Sequence, residues 1–202
     1  MSKEKILEAT LELANEKGLG RVSMSQIAER AGLKKSSLYS HFHSKKEIIE
    51  EMYLYFREQS KIARGIGEVD YGALVEGHSF KEVLLMAVHS YQNMNKEPHL
   101  DMFYRVITTE RAINETAAEI MVTETNTMIR ATKQLFYAMQ AKSVAHFANP
   151  DAAAFSFAMG VHAVIEFECD ARLSKNKAAD GMMEQYINEF CQVYEKKECE
   201  LS

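Results

Sequence analysis

Over residues 30 to 46 the chain carries Arg30, Lys34, Lys35, Lys45 and Lys46, the hydroxyls of Ser36, Ser37, Tyr39 and Ser40, and the imidazoles of His41 and His43, with no acid among them. A solvated face normally mixes charge signs, so a run of hydrogen-bonding side chains without a carboxylate suits a surface for phosphates and base edges. Widening the window to residues 21 to 46 adds Arg21 and one acid, Glu29, for a local net of +5. The protein as a whole is at −5, because residues 65 to 202 hold 12 Lys and Arg against 20 Asp and Glu. One end of an acidic chain is therefore basic, the asymmetry of a protein that meets a polyanion with that end alone. The bland alternative, an ordinary solvated charged face, stays open on charge alone.

Local signals place these residues on two short helices. Ser23 followed by Gln26 is a capping box, which predicts a helix over 24–31, and Gly32 ends it. Lys34 to Phe42 carry the next helix, with Leu38 and Phe42 inward at i, i+4 and Lys34, Lys35, Ser36, Ser37, Tyr39, Ser40 and His41 outward. Two helices joined at a glycine, with Ala28 and Ala31 at the crossing, form a helix-turn-helix whose second member reads. A helix over 3–17 precedes them, with a narrow inward face of Ile6, Ala9, Thr10, Leu13 and Ala14. Ser44 caps a fourth, 44–64, with Ile48, Ile49, Met52, Tyr53, Phe56 and Ile62 inward.

The segments ILEATLELANEKG, VSMSQIAERAGL and KKSSLYSHFHSKKEII resemble the N-terminal DNA-binding domain of the TetR family of bacterial transcriptional regulators over about residues 4–56. The resemblance implies a homodimeric, ligand-responsive repressor, released from a palindromic double-stranded DNA operator by a small-molecule effector. It also implies that Lys35, Ser36 and Ser37 stand where the family's recognition helix meets base edges, and Ser23, Tyr39, His41 and Lys45 where it grips phosphates. Lys34 departs from the family's usual Ser or Thr. A lysine cannot cap the helix, which costs about 0.5 to 2 kcal/mol, and it sits at the positive end of the helix dipole. Its placement makes better sense if Lys34 also works on DNA.

At 202 residues, 47% hydrophobic and 26% charged, the chain is long enough for a sizeable core and is not disordered. Pro98 and Pro150 stand where helices can begin, and eight of nine glycines fall between periodic stretches, so an all-α protein of about nine helices is expected. Residues 1–46 form the three-helix DNA-binding domain and 47–202 a larger helical bundle for ligand binding and dimerisation. In the bundle, 65–79 reads as a linker, and further helices are expected over 80–95, after Pro98, and over 114–141, 150–173 and 181–197. The helix over 150–173 is apolar on several faces, with Phe155, Met159, Ala163 and Val164. It must be covered on more than one side, and a second subunit is expected to approach at Gly160 and the alanines, with the last helix completing a four-helix interface. A ligand pocket is expected from Tyr91, Phe103, Met121, Glu124, Met128, His162 and Glu166.

Enzymatic motifs are missing: there is no G-x-S-x-G, phosphate loop, H-E-x-x-H or dinucleotide fingerprint. His162 and Glu166 at i, i+4 make two metal ligands, too few for a site. Neither a metal nor a cofactor is expected, and a metal-dependent enzyme is the least supported class. Cys169, Cys191 and Cys199 lack paired spacing and read as reduced thiols, two of them in the core. With no signal-peptide pattern and no apolar run of membrane length, a soluble, cytoplasmic protein without membrane contact is expected. An alternative to a regulator is a small-molecule sensor or carrier whose DNA reader is vestigial.

Overall fold

The computed structural model describes residues 3–63, 69–94 and 97–194, and among these there are ten α-helices, one 3₁₀ turn and no strand. The helices are α1 (Lys3–Lys17), α2 (Met24–Arg30), α3 (Lys35–His41), α4 (Lys45–Ala63), α5 (Tyr71–Val75), α6 (Phe80–Met94), α7 (Pro98–Glu110), α8 (Glu115–Ala141), α9 (Pro150–Ser174) and α10 (Met182–Tyr194). Polar caps start them where expected. Ser23 accepts from Gln26 N while Gln26 accepts from Ser23 N. Glu47 N donates to Ser44, Glu82 N to Ser79, and Ala152 N to Asn149.

The additional helix, α5, falls in the stretch expected to be linker, of which residues 65–68 lie outside the described residues. Asp70 accepts from Ala73 N at 3.0 Å, and Val75 is fully buried, so one cap and one apolar anchor suffice for a turn that periodicity over five residues does not reveal. The last expected helix is seen over Met182–Tyr194; its predicted end at 195–197 lies outside the described residues.

The chain packs as two compact units, Met1–Gly67 with Gln92–Glu124, and Glu68–Tyr91 with Thr125–Ser202. These follow contacts, whereas a division at 46 and 47 follows where the motif ends. In the first unit α1 is enclosed by α2, α4 and α7, so Leu7 and Leu11 are buried beside Ile6, Ala9, Thr10, Leu13 and Ala14. Its buried face is wide, not narrow, because α7 covers a side that the sequence pattern alone leaves to solvent. Thr10, fully buried, donates its hydroxyl to Ile6 O at 2.7 Å. Ile48, Ile49, Met52, Tyr53 and Phe56 of α4 are buried as expected, but Ile62 is 63% exposed.

The second unit is built on rings. Phe136 stacks on Phe147 at 4.6 Å, and Phe157 meets Phe190 edge-on at 4.9 Å. Cys191 is buried here and Cys169 partly so, while Cys199 lies outside the described residues. Gly160, expected to admit a second subunit, is approached from within the chain: a Cβ there would collide with the Tyr186 ring of α10. By length and composition α9 is apolar enough to cross a membrane, which sequence reading did not anticipate. Seven of its 25 residues, among them Ala154, Phe157 and Val161, are buried in this unit.

Candidate nucleic-acid interface

The reader is set by the turn between α2 and α3. Gly32 adopts φ +70°, Gly32 N donates to Glu29 O at 3.0 Å, and Leu33 N donates to Ala28 O at 2.8 Å. This paired pattern closes a helix on a left-handed residue, where a side chain would be strained. Leu33 and Ala31 then pack on the first core, and Leu38 and Phe42 are fully buried in it. The inward face of α3 is thus anchored, which turns its polar side outward.

On that outward side Lys34, Lys35, Ser36, Tyr39 and Ser40 are exposed, and Ser37 and His41 are half-buried. The Lys35 ammonium lies 6.0 Å from the Tyr39 ring centre, so the two share one face one turn apart. Ser40 donates its hydroxyl to Ser37 O. Lys34 is the N-cap, extended at φ −70°, ψ 146°, and no side-chain bond closes the helix end there. The Lys34 carbonyl instead accepts from Ser37 N at 2.9 Å and Leu38 N at 3.1 Å. Ser23, by contrast, is exposed and committed to its own capping box.

The cations of the basic stretch are not equally available. Arg30 makes a fork to Glu16, at 2.9 and 2.8 Å, and a third bond to Glu12 at 3.1 Å. The hydrogen bond from Arg30 holds the Glu16 carboxyl below the usual carboxylate range. Lys45 donates to the carbonyls of Leu19 (2.9 Å) and Val22 (3.0 Å), bracing the connection between α1 and α2. Lys46 meets Glu119 of α8 at 3.0 Å, and that hydrogen bond, with the charge of Glu119, raises the Lys46 ammonium above its ordinary value. The local count of +5 overstates the free charge, because the neutralising acids come from α1 and α8, distant in sequence.

The residues expected in a ligand pocket fall into two sets. In the first unit Phe103 is fully buried in the core, Met121 packs against it, and Glu124 is 5% exposed. In the second, Tyr91, Met128, His162 and Glu166 are half-buried on α6, α8 and α9. Among the described residues no group of three or more His, Cys, Asp or Glu is placed to share a metal. Glu124 is the centre of a polar cluster that sequence reading missed. It accepts from Arg57 at 2.6 Å, from Tyr104 at 2.6 Å and, at very short range, from Tyr53, while Arg57 also donates to Tyr104 at 2.8 Å. Burial works against the Arg57 charge, but Tyr104, Glu124 and Tyr53 outweigh it and raise the guanidinium above its ordinary value. The available signal was an arginine one turn after Tyr53 on the apolar stripe of α4.

Residues 6–52 match the family described as bacterial regulatory proteins, tetR family. Over 49 residues, 24% of the chain, the sequence is 43% identical to the biofilm operon icaADBC HTH-type negative transcriptional regulator IcaR of Staphylococcus aureus (strain Newman), and the match covers 26% of that protein. The chain thus spans about a quarter of the length of the curated relatives it matches. Over nearly its whole length it shares a fold with solved structures. The flavonoid-responsive regulator FrrA has a TM-score of 0.69 at 21% identity, covering 95% of this chain and 96% of that one. Salmonella enterica GusR has a TM-score of 0.67 at 19% identity, with 94% and 95% covered.

Proposed function

We propose that this chain, whose residues 6–52 match the tetR family of bacterial regulatory proteins, is a ligand-responsive, DNA-binding transcriptional regulator, a repressor released from a palindromic operator by a small molecule. The observation that carries this reading is α3: its apolar side is locked into the core while Lys34, Lys35, Ser36 and Tyr39 project from it with no acid among them. Residues 1–46 act as the reader and 47–202 as the ligand-binding and dimerisation part. Lys35, Ser36 and Ser37 face base edges, and Ser23, Lys34, Tyr39, His41 and Lys45 face phosphates.

A single seven-residue helix covers too few base pairs for specificity, so two readers, and hence a homodimer, are required. Phe155 and Phe167 of α9 (52% and 41% exposed) and Val193 of α10 (73%) are apolar side chains left for a partner to cover. The repressor sense is supported by the negative regulator among the relatives, and the effector by the flavonoid-responsive neighbour. As a cytoplasmic regulator the protein needs no cofactor and performs no catalysis. The test is duplex binding as a function of salt: affinity should fall steeply as salt rises, because bound cations release counter-ions from DNA. A salt-independent complex, or a chain that stays monomeric at micromolar concentration, overturns the reading.

A further inference from the structure

Lys46, Glu50, Tyr53 and Arg57 recur at helical spacing on α4, and three of them, Lys46, Tyr53 and Arg57, are tied into α8. At the far end Arg57 and Tyr53 hold the buried Glu124. At the near end, five residues past the last residue of α3, Lys46 holds Glu119 at 3.0 Å, and Glu50 lies 3.8 Å from the same ammonium. The two ties differ in exposure. Glu124 is 5% exposed and Arg57 15%, so no macromolecule reaches them, whereas Lys46 and Glu119 are both 52% exposed.

Lys46 also differs from Arg30 and Lys45, the other cations of the basic stretch that hold hydrogen-bond partners within the chain. Arg30 is committed to a two-acid fork and Lys45 to two backbone carbonyls, whereas Lys46 is held by exposed ion pairs that a stronger anion can replace. Duplex DNA is such an anion, with one charge for about every 1.7 Å of helix axis. Lys46 stands in the first turn of the helix that follows the reading helix.

We propose that Lys46 is a further phosphate-contact residue, held in reserve by Glu119, and that duplex DNA displaces the Glu119 carboxylate from the Lys46 ammonium. Glu119 then opposes DNA binding, and DNA binding loosens α4 from α8 at the reader's end while the Arg57–Glu124 tie persists. The inference rests on the DNA-binding reading above. It makes α8 the element through which the occupancy of DNA is felt, since any exchange that frees Glu119 acts on the helix that also carries Glu124.

The experiment is a double-mutant cycle on a duplex selected from a random-sequence pool by the wild-type protein, with Kd measured between about 50 and 200 mM salt. Glu119→Gln should tighten binding about two- to fivefold, the range an exposed ion pair is worth. Lys46→Gln should weaken it and make the salt dependence shallower by about 0.9 for each phosphate that Lys46 neutralises. In the Lys46→Gln background, Glu119→Gln should change nothing. Equal tightening in both backgrounds would reduce Glu119 to a negative charge near DNA, and no tightening would leave Lys46 in its pair; either overturns the proposal. Glu119→Ala repeats the cycle should Glu119→Gln shift the melting temperature. If the wild-type protein retains no duplex, the regulator reading falls and this proposal with it; if it binds and the cycle is additive, this proposal alone falls.

Discussion

Arg57 and Glu124, 67 residues apart in sequence, form a nearly dry ion pair between α4 and α8, with Nη1 to Oε1 at 2.6 Å. Two tyrosine hydroxyls complete the carboxylate's shell. A buried pair of this kind adds little net stability over apolar groups, but losing one member strands a charge. Glu124→Gln or Arg57→Met alone should therefore cost about 3 to 5 kcal/mol in denaturant unfolding, whereas Arg57→Met with Glu124→Leu should come close to wild type. A mild single variant would mean that water reaches the pair.

Lys45 and Lys35 should separate in their effects. Lys45→Ala removes two charge-assisted bonds to the carbonyls of Leu19 and Val22, so it should lower stability by about 1 to 3 kcal/mol as well as weaken DNA binding. Tyr39→Phe should weaken binding to all duplexes about equally, with the melting temperature unchanged, since a phosphate contact positions without reading. Lys35→Ala should cost about 1 to 3 kcal/mol at one base pair of a mutated duplex series and relax preference there. Uniform loss across the series would reassign Lys35 to the backbone.

Gly160 and Tyr186 predict a substitution that propensity alone gets backwards. Alanine in a helix interior is normally worth about 1 kcal/mol over glycine. Here its Cβ would overlap the hydroxyl and Cζ of Tyr186, with Cε2 at 2.8 Å. Overpacking typically costs about 1 to 3 kcal/mol, so Gly160→Ala should lower the melting temperature. Tyr186→Phe should not rescue it, because Cζ remains; a smaller residue at 186 should.

Burial pushes the Tyr186 hydroxyl, which donates to Ser156 O at 3.1 Å, from 10.0 up to about 12. The folded chain thus keeps a proton that the unfolded chain gives up first. Its contribution to stability is fully present below pH 10 and is lost as pH rises towards 12. Alkaline unfolding curves of the wild type and Tyr186→Phe should diverge only in that window, with the variant losing less. Parallel curves would show that the ring ionises as readily in the folded protein.

What the amino-acid sequence determined by itself was local: where helices start and stop. Ser23, Ser44, Ser79 and Asn149 announce helix starts because a side-chain oxygen and a backbone N–H two or three residues on meet without outside help. Gly32 announces the turn because no other residue takes its φ without strain. The inward Leu38 and Phe42, and hence the outward Lys35 and Tyr39, follow from the 3.6-residue period alone.

Partnership was decided only by the tertiary structure. Nothing local to Arg30, Lys46 or Glu124 reveals that Glu12 and Glu16, Glu119, and Arg57 with two tyrosines stand against them, since these partners lie on other helices and meet only when the core closes. The same is true of the second buried side of α1, which needs α7 to exist, and of Gly160, whose neighbour is a tyrosine 26 residues further on. A charge or an apolar stripe is written in one segment, but its energy depends on the dielectric and the atoms that another segment brings to it.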